Sequence, residues 1–237
     1  PVNKGVSPEI FTKYKMAKPF LVQRLGMYCS YCERRIPTNL AVEHIQPKGL
    51  PAYEYLENEW NNFLLSCVNC NSAKGNQDIQ LSDYYFPDRD NTVVPFFYGE
   101  DGGVTPSAGL TLAQSVIAQD TIDLFGFNKG FEDEPELMMA ALERYGQRQA
   151  AHVSAKESIQ DICANDTPPM RRVVRKLATE TGFFSIWMSV FVNDSGMRQQ
   201  LIDSFPGTGK ECFDSVMTNA ISPRNPSPPA LYHGGKI

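Results

Sequence analysis

The sequence has 237 residues, a formal net charge of -5 and a pI of about 5.3. Its length suits one large domain or two small ones, and 42% hydrophobic with 21% charged residues is ordinary for a soluble globular protein. It contains no run of about eighteen apolar residues, and its first residues lack an apolar signal-peptide core. We therefore expect neither a membrane span nor secretion.

The negative charge is unevenly distributed along the chain. Residues 1–35 contain seven basic and two acidic side chains, a local charge of +5, whereas acidic residues concentrate downstream. The overall negative charge counts against a protein that binds nucleic acid without a partner, since cationic contacts to phosphates supply most non-specific affinity. The basic start of the chain is either a nucleic-acid face or a solvated helix surface, and composition leaves both interpretations open.

The first predicted element is helical. Residues 8–25 place apolar side chains at approximate helical spacing, and Pro19 is expected to divide them into two helical pieces. Gly26 is expected to end the second piece. Together with an irregular start, these pieces predict an N-terminal helical arm.

Two short strands and a helix are predicted next. Residues 38–45 alternate apolar and other side chains, which indicates a strand. Residues 62–66 form a second extended segment, and a helix is expected over residues 71–77. The predicted order is therefore strand, strand, helix.

The rest of the chain is predicted to be mainly helical after one hairpin. Residues 82–109 mix aromatic residues with Pro, Gly and Asp, which predicts a hairpin that turns at residues 99–103. Helical patterns and start signals then predict helices over residues 110–125, 134–162, 168–192 and 197–205. The Pro- and Gly-rich residues 222–237 are expected to form a loose tail.

Four of the six cysteines form two Cys-x-x-Cys pairs, which are Cys29 with Cys32 and Cys67 with Cys70. A two-residue gap lets both thiolates of a pair face one ion, so the four predict a tetrahedral zinc site. Four unligated core cysteines are the alternative interpretation. A zinc held by four thiolates has no open position, so this metal is expected to be structural. Such cysteine usage suits a reducing compartment, and we expect a cytoplasmic protein.

The dipeptide Glu43-His44 lies between the two cysteine pairs. A neutral imidazole takes a proton from water near pH 7, so His44 is a candidate general base. A carboxylate suits Mg2+ or Mn2+. On a regular strand, however, Glu43 would point to the opposite side from His44. Both reach one site only if the chain bends, and Pro47 and Gly49 make a bend nearby plausible.

The central stretch resembles the HNH endonucleases. The resemblance rests on Cys-x-x-Cys, then Glu-His-Ile-x-Pro from Glu43 to Pro47, then Asn-x-Leu-Leu-x-Cys-x-x-Cys-Asn-x-x-Lys-Gly from Asn62 to Gly75. It implies a ββα-metal fold that hydrolyses phosphodiester bonds, with DNA favoured over RNA as the substrate. The family's first acid is often Asp where this sequence has Glu43, and its last histidine is replaced here by Asn71.

The resemblance also implies roles for individual residues. His44 would be the general base, and Asn62 would brace the loop that holds it. Glu43 and Asn71 would ligate the catalytic divalent ion, and an amide oxygen at Asn71 favours Mg2+ or Mn2+ over softer metals. Lys74 would approach the phosphate or support the turn.

Shorter segments extend the resemblance over more of the chain. Residues 3–15, 118–130 and 205–214 resemble an HNH subgroup, the PtuB-like nucleases of Septu-type and retron-linked anti-phage systems. That subgroup works with an SMC-like or ABC-type ATPase. The resemblance therefore implies cleavage of nucleic acid in anti-phage defence, together with an ATPase partner.

These inferences combine into an α+β protein with a ββα-metal core, a zinc knuckle pair and a mainly α-helical C-terminal lobe. The predicted segments are a helical arm at 1–26, the HNH core at 27–80, a hairpin insertion at 81–109, a helical lobe at 110–221 and a loose tail at 222–237.

Two alternatives to a self-sufficient nuclease remain open. A non-catalytic zinc module that binds nucleic acid or protein would explain the cysteines but would leave Glu43, His44, Asn62 and Asn71 as coincidences. The second alternative is a subunit whose nuclease activity is latent without the ATPase. A second basic group lies at residues 171–176, and a solvated helix face is the alternative to a phosphate contact there as well.

Overall fold

A computed structural model describes residues 1–129, 135–224 and 233–237. Strands β1 (Ala41–His44) and β2 (Phe63–Ser66) pair antiparallel, and helix α2 (Val68–Lys74) follows at once. The predicted ββα order is confirmed. The helix begins earlier than residue 71 because Cys67 has an extended backbone at its N-terminus, and it ends at Gly75, whose φ is 54°.

The N-terminal arm is less helical than predicted. Helix α1 (Lys18–Leu25) follows a single 3-10 turn at Tyr14–Ala17, and residues 8–13 are not helical. Pro19 does not divide a helix but stands in the first turn of α1, where its missing N–H has no helical partner to lose.

The hairpin is confirmed, with strands β3 (Phe96–Tyr98) and β4 (Val104–Pro106) joined by a turn at residues 99–103. Helix α3 (Leu112–Leu124) then begins at Thr111, which forms a reciprocal capping box with Gln114. Helix α4 (Pro135–Ala164) is as long as predicted, although residue 134 lies outside the described part of the chain.

The helix predicted over residues 168–192 is two helices. Helix α5 (Pro168–Thr181) stops at Gly182, and helix α6 (Phe184–Val190) starts after Phe183, both with positive φ. The break exists because Gly182 and Phe183 pair with the first cysteine knuckle, where the Phe183 N–H donates to the Glu33 carbonyl at 2.9 Å. Helix α7 (Ser195–Ser204) completes the set of described α-helices.

Buried side chains form two hydrophobic clusters. The first contains the arm, the ββα unit, the hairpin, α3 and Ile237. The second contains the C-terminal part of α4 with α5, α6 and α7, and includes Trp187 and Phe191. Helix α3 therefore packs with the ββα unit, which differs from the predicted helical lobe that starts at residue 110.

The predicted loose tail is wrong for the residues described there. Arg224 is buried and donates to the Pro87 carbonyl at 2.9 Å. Ile237 is fully buried, and its carbonyl accepts from the Asn91 N–H at 3.0 Å. Residues 225–232 lie outside the described part of the chain. No described helix is long and apolar enough to span a membrane.

The contact between Gly182 and the first knuckle predicts a specific instability. A Cβ at Gly182 would lie 2.7 Å from the Arg35 nitrogen, and φ is +80° there. Gly109 has a similar φ of +87° but nothing within 4 Å. Both Gly→Ala variants carry the cost of a positive φ, about 1–3 kcal/mol, and Gly182→Ala should lose roughly 1–3 kcal/mol more from the clash. Urea unfolding measures both, and equal losses would contradict the docking described here.

Candidate metal centre and active site

The four cysteines of the two pairs converge on one point. Their sulfur atoms lie within 4.8 Å of one another, and Cys32 Sγ is 3.9 Å from Cys67 Sγ. Zn–S bonds of about 2.3 Å in a tetrahedron place sulfurs about 3.8 Å apart, so the cluster matches the size of a zinc site. Among the described His, Cys, Asp and Glu residues, this is the group spaced to hold a metal.

Local structure explains how each pair presents its thiols. Cys29 and Cys32 lie on a tight turn that closes when the Cys29 N–H donates to the Arg34 carbonyl at 2.9 Å. Cys67 precedes α2 and Cys70 lies in its first turn. The positive end of the helix dipole favours thiolates at those positions.

Electrostatics of the cluster require a cation for full deprotonation. Hydrogen bonds from Cys29 and the other thiols lower the pKa of Cys67, and the same cluster raises the pKa of Cys32 and Cys70 well above 9. Cys67 therefore ionises more readily than Cys32 or Cys70. A divalent cation compensates the charge of the others, and the soft donor set fits zinc.

Glu43 is buried and fully engaged. The Lys74 ammonium lies 2.8 Å from one carboxylate oxygen, and the Tyr31 hydroxyl donates to the other. Lys74 also donates to the His44 carbonyl at 2.8 Å. Glu43 and Lys74 are 3% and 1% exposed, so neither side chain reaches solvent. Burial raises the pKa of Tyr31 well above 10, and the negative charge of Glu43 raises it further.

The bend that would bring Glu43 and His44 to one site does not occur. β1 keeps a regular register to its last pair, His44 opposite Phe63, so the two side chains leave opposite faces of the strand. Asn71 is exposed on α2. A hard cation at Glu43 and Asn71 does not fit this arrangement, because Glu43 would first have to release Lys74 or Tyr31.

His44 is held in one orientation. Its Nε2 lies 2.9 Å from the Glu57 carbonyl, and its ring meets Tyr14 and Phe63 edge-on at 4.8 and 5.2 Å between centroids. A carbonyl only accepts, so Nε2 carries the proton. No described group bonds Nδ1, which keeps its lone pair. Burial lowers the pKa of His44 below 6.5, so the ring is neutral at pH 7.

Asn62 ties together the segments on both sides of His44. Its amide oxygen accepts from the Gln46 N–H at 2.8 Å, and its amide nitrogen donates to the carbonyls of Gln46 at 2.9 Å and Leu56 at 3.4 Å. These bonds fix the turn after His44 and the turn that precedes Glu57. Asn62 is 5% exposed, so its amide is enclosed by the segments that it joins.

Of the residues singled out in the sequence, the structure brings together the four cysteines, and separately His44 with Asn62. It places Lys74 away from solvent, bonded to Glu43 and to the His44 carbonyl. Tyr31, Tyr14 and Glu57 contact Glu43 or His44 and were missed by the sequence analysis. They have no motif spacing that points to them, because each is brought in by a different turn.

Comparison with protein-family models matches residues 29–77 to the family described as HNH endonuclease. The matched segment contains both cysteine knuckles, β1, β2 and α2. No curated protein matches the chain in a sequence search. The match supports nuclease activity at the level of the family, which is metal-dependent.

Replacing one cysteine of the cluster should remove the metal. Cys67→Ser leaves three thiol ligands, so we expect the purified protein to lose its zinc and to unfold at a lower urea concentration. Cys163→Ser is the matched control, because Cys163 is exposed and outside the cluster. Metal analysis of both variants gives the answer, and full zinc content in Cys67→Ser would overturn the assignment.

The Glu43–Lys74 pair predicts strong coupling. Lys74→Met leaves a buried carboxylate without its cation, which should destabilise the protein by about 3–5 kcal/mol. Adding Glu43→Gln removes the orphaned charge, so the double variant should recover much of that loss. Urea unfolding of the wild type, both single variants and the double variant forms a thermodynamic cycle. Additive losses would show that the two side chains do not interact.

Proposed function

We propose that the HNH endonuclease domain at residues 29–77 hydrolyses phosphodiester bonds of DNA, with His44 as the general base. The observation that carries this proposal is the hydrogen bond from His44 Nε2 to the Glu57 carbonyl at 2.9 Å. It fixes the tautomer in which Nδ1 is the proton acceptor.

The proposed reaction is a displacement at phosphorus. Nδ1 of His44 takes a proton from a water molecule while the oxygen of that water attacks the phosphorus. The bond from phosphorus to the leaving oxygen then breaks. Asn62 keeps the imidazole aimed by holding the turns before Glu57 and after His44. Four thiolates close the zinc site, so zinc supports this geometry and does not bind the water.

The domain's family is metal-dependent, and we propose Mg2+ or Mn2+ as the ion used in catalysis. When bound, such an ion stabilises negative charge on the phosphate and the leaving oxygen. Glu43 and Asn71 do not fit that ion as they are arranged, since Lys74 and Tyr31 occupy the carboxylate. We therefore assign Glu43 to the support of β1 through Lys74.

We further propose that the nuclease acts in anti-phage defence with an ABC- or SMC-type ATPase. The resemblance of residues 3–15, 118–130 and 205–214 to the PtuB-like subgroup supports this role. The net charge of -5 supports it as well, because an acidic chain binds nucleic acid weakly and a partner with a cationic surface would add affinity.

A non-catalytic zinc module is the second candidate. The burial of Glu43 against Lys74 favours it, since it removes from use the acid that the family pattern places beside the base. It predicts zinc binding without cleavage in any combination of metal and partner.

His44→Ala should abolish plasmid cleavage with Mg2+ or Mn2+, by about 10²–10⁴-fold, while the fold and the zinc remain. The wild-type rate should be flat near pH 7 and fall only below about pH 6.5, because burial favours the neutral imidazole and protonation of Nδ1 removes the base.

The control is His233→Ala, an exposed histidine outside residues 29–77. Each assay is run with and without proteins that copurify with the wild type. Cleavage only with such a protein supports the ATPase arrangement. Wild-type cleavage by His44→Ala would overturn the mechanism, and an absence of cleavage by wild type under all conditions would favour the non-catalytic module.

A further inference from the structure

We propose that three exposed lysines of the N-terminal arm hold the phosphate backbone of the substrate next to His44. We call Lys13, Lys15 and Lys18 the arm lysines. The inference rests on the proposed nuclease function and adds to it the surface that receives nucleic acid. It also selects the nucleic-acid interpretation of the basic start of the chain over a solvated helix face.

The arm lysines belong to the segment that packs on the histidine. They lie within and on either side of the 3-10 turn Tyr14–Ala17, and the Tyr14 ring meets the His44 ring at 4.8 Å between centroids. The Lys48 ammonium lies over the face of the same Tyr14 ring, 4.3 Å from its centroid. A phosphate bound along this turn would therefore lie close to the imidazole.

Lys48 links the same segment to the group that fixes the imidazole. It forms an ion pair with Glu57 at 2.6 Å, and the Glu57 carbonyl is the acceptor for His44 Nε2. Tyr14, Lys48, Glu57 and His44 thus form one contiguous set of contacts. The position of the arm turn relative to the base is set by this chain of side chains.

The arm lysines retain their charge for a ligand. All three are exposed, and none forms an ion pair with a described residue. Two other exposed lysines are neutralised, Lys156 by Glu100 and Lys210 by Asp203. Three uncompensated cations in six consecutive residues stand out in a chain whose net charge is -5.

The spacing of the arm lysines suits a chain of phosphates. In a 3-10 turn, positions three apart lie on the same side, so Lys15 and Lys18 project from one face. Lysine is a flexible point charge that tracks a backbone without reading bases. The class of ligand is therefore the sugar–phosphate backbone of a nucleic acid, without sequence preference from this surface.

A rival cationic surface lies on α5, where Arg172, Arg175 and Lys176 also form no ion pair with a described residue. That helix packs against α4, α6 and α7 in the second hydrophobic cluster. Its neighbour Arg171 is held by Asp166 and Asp194. No contact on α5 resembles the one between Tyr14 and His44, and the α5 group serves as a matched control with three charges.

The test measures binding separately from cleavage. In a His44→Ala background, the arm lysines are replaced together by Gln, and Arg172, Arg175 and Lys176 are replaced by Gln in a second protein. Anisotropy of a labelled DNA duplex gives Kd at several NaCl concentrations. Removing three phosphate contacts should reduce the slope of log K against log salt by about 2–3 and weaken binding, whereas the α5 variant should match the parent.

Each outcome decides the inference. An unchanged slope and Kd in the arm variant would overturn it, as would a loss confined to the α5 variant or an absence of DNA binding by the parent. Circular dichroism and zinc content confirm that each variant is folded. Failure of the proposed nuclease is recognised separately, since wild-type protein would then bind DNA through the arm lysines without cutting it.

Discussion

The buried ammonium of Lys74 is the contact on which the central unit depends. It is bonded to the Glu43 carboxylate and to the His44 carbonyl, so the last turn of α2 is attached to the end of β1 by a charge that has no access to water. A buried ion pair of this kind contributes little net stability, but it is intolerant of the loss of either partner. Its value here is positional, because it specifies where the strand carrying His44 lies relative to the helix carrying Cys70.

The cysteine cluster and His44 consequently belong to one structural unit, which α2 and β1 form together. Cys67 and Cys70 anchor the start of α2, and Lys74 anchors its end. The seven-residue helix is too short to be stable by itself. The cysteine cluster at one end and the ion pair at the other hold α2 against the strand that carries His44.

Sequence reasoning succeeded where the relevant contacts are local. The Cys-x-x-Cys spacing predicts the sulfur cluster, and strand alternation predicts that Glu43 and His44 face opposite sides. It failed where a remote partner decides the outcome. Helix 168–192 is broken by a knuckle some 150 positions earlier in the chain, and Lys74 satisfies Glu43 without the bend that a shared site would have needed. Ile237 is buried among residues that no nearby pattern could identify.

The burial of Ile237 in the first hydrophobic cluster has a consequence for biosynthesis. That cluster also contains Phe11 and the ββα unit, so its packing cannot be completed before residue 237 has emerged from the ribosome. Contacts between such distant positions slow the closing of a core. The first hydrophobic cluster around the ββα unit therefore closes only after that residue is available.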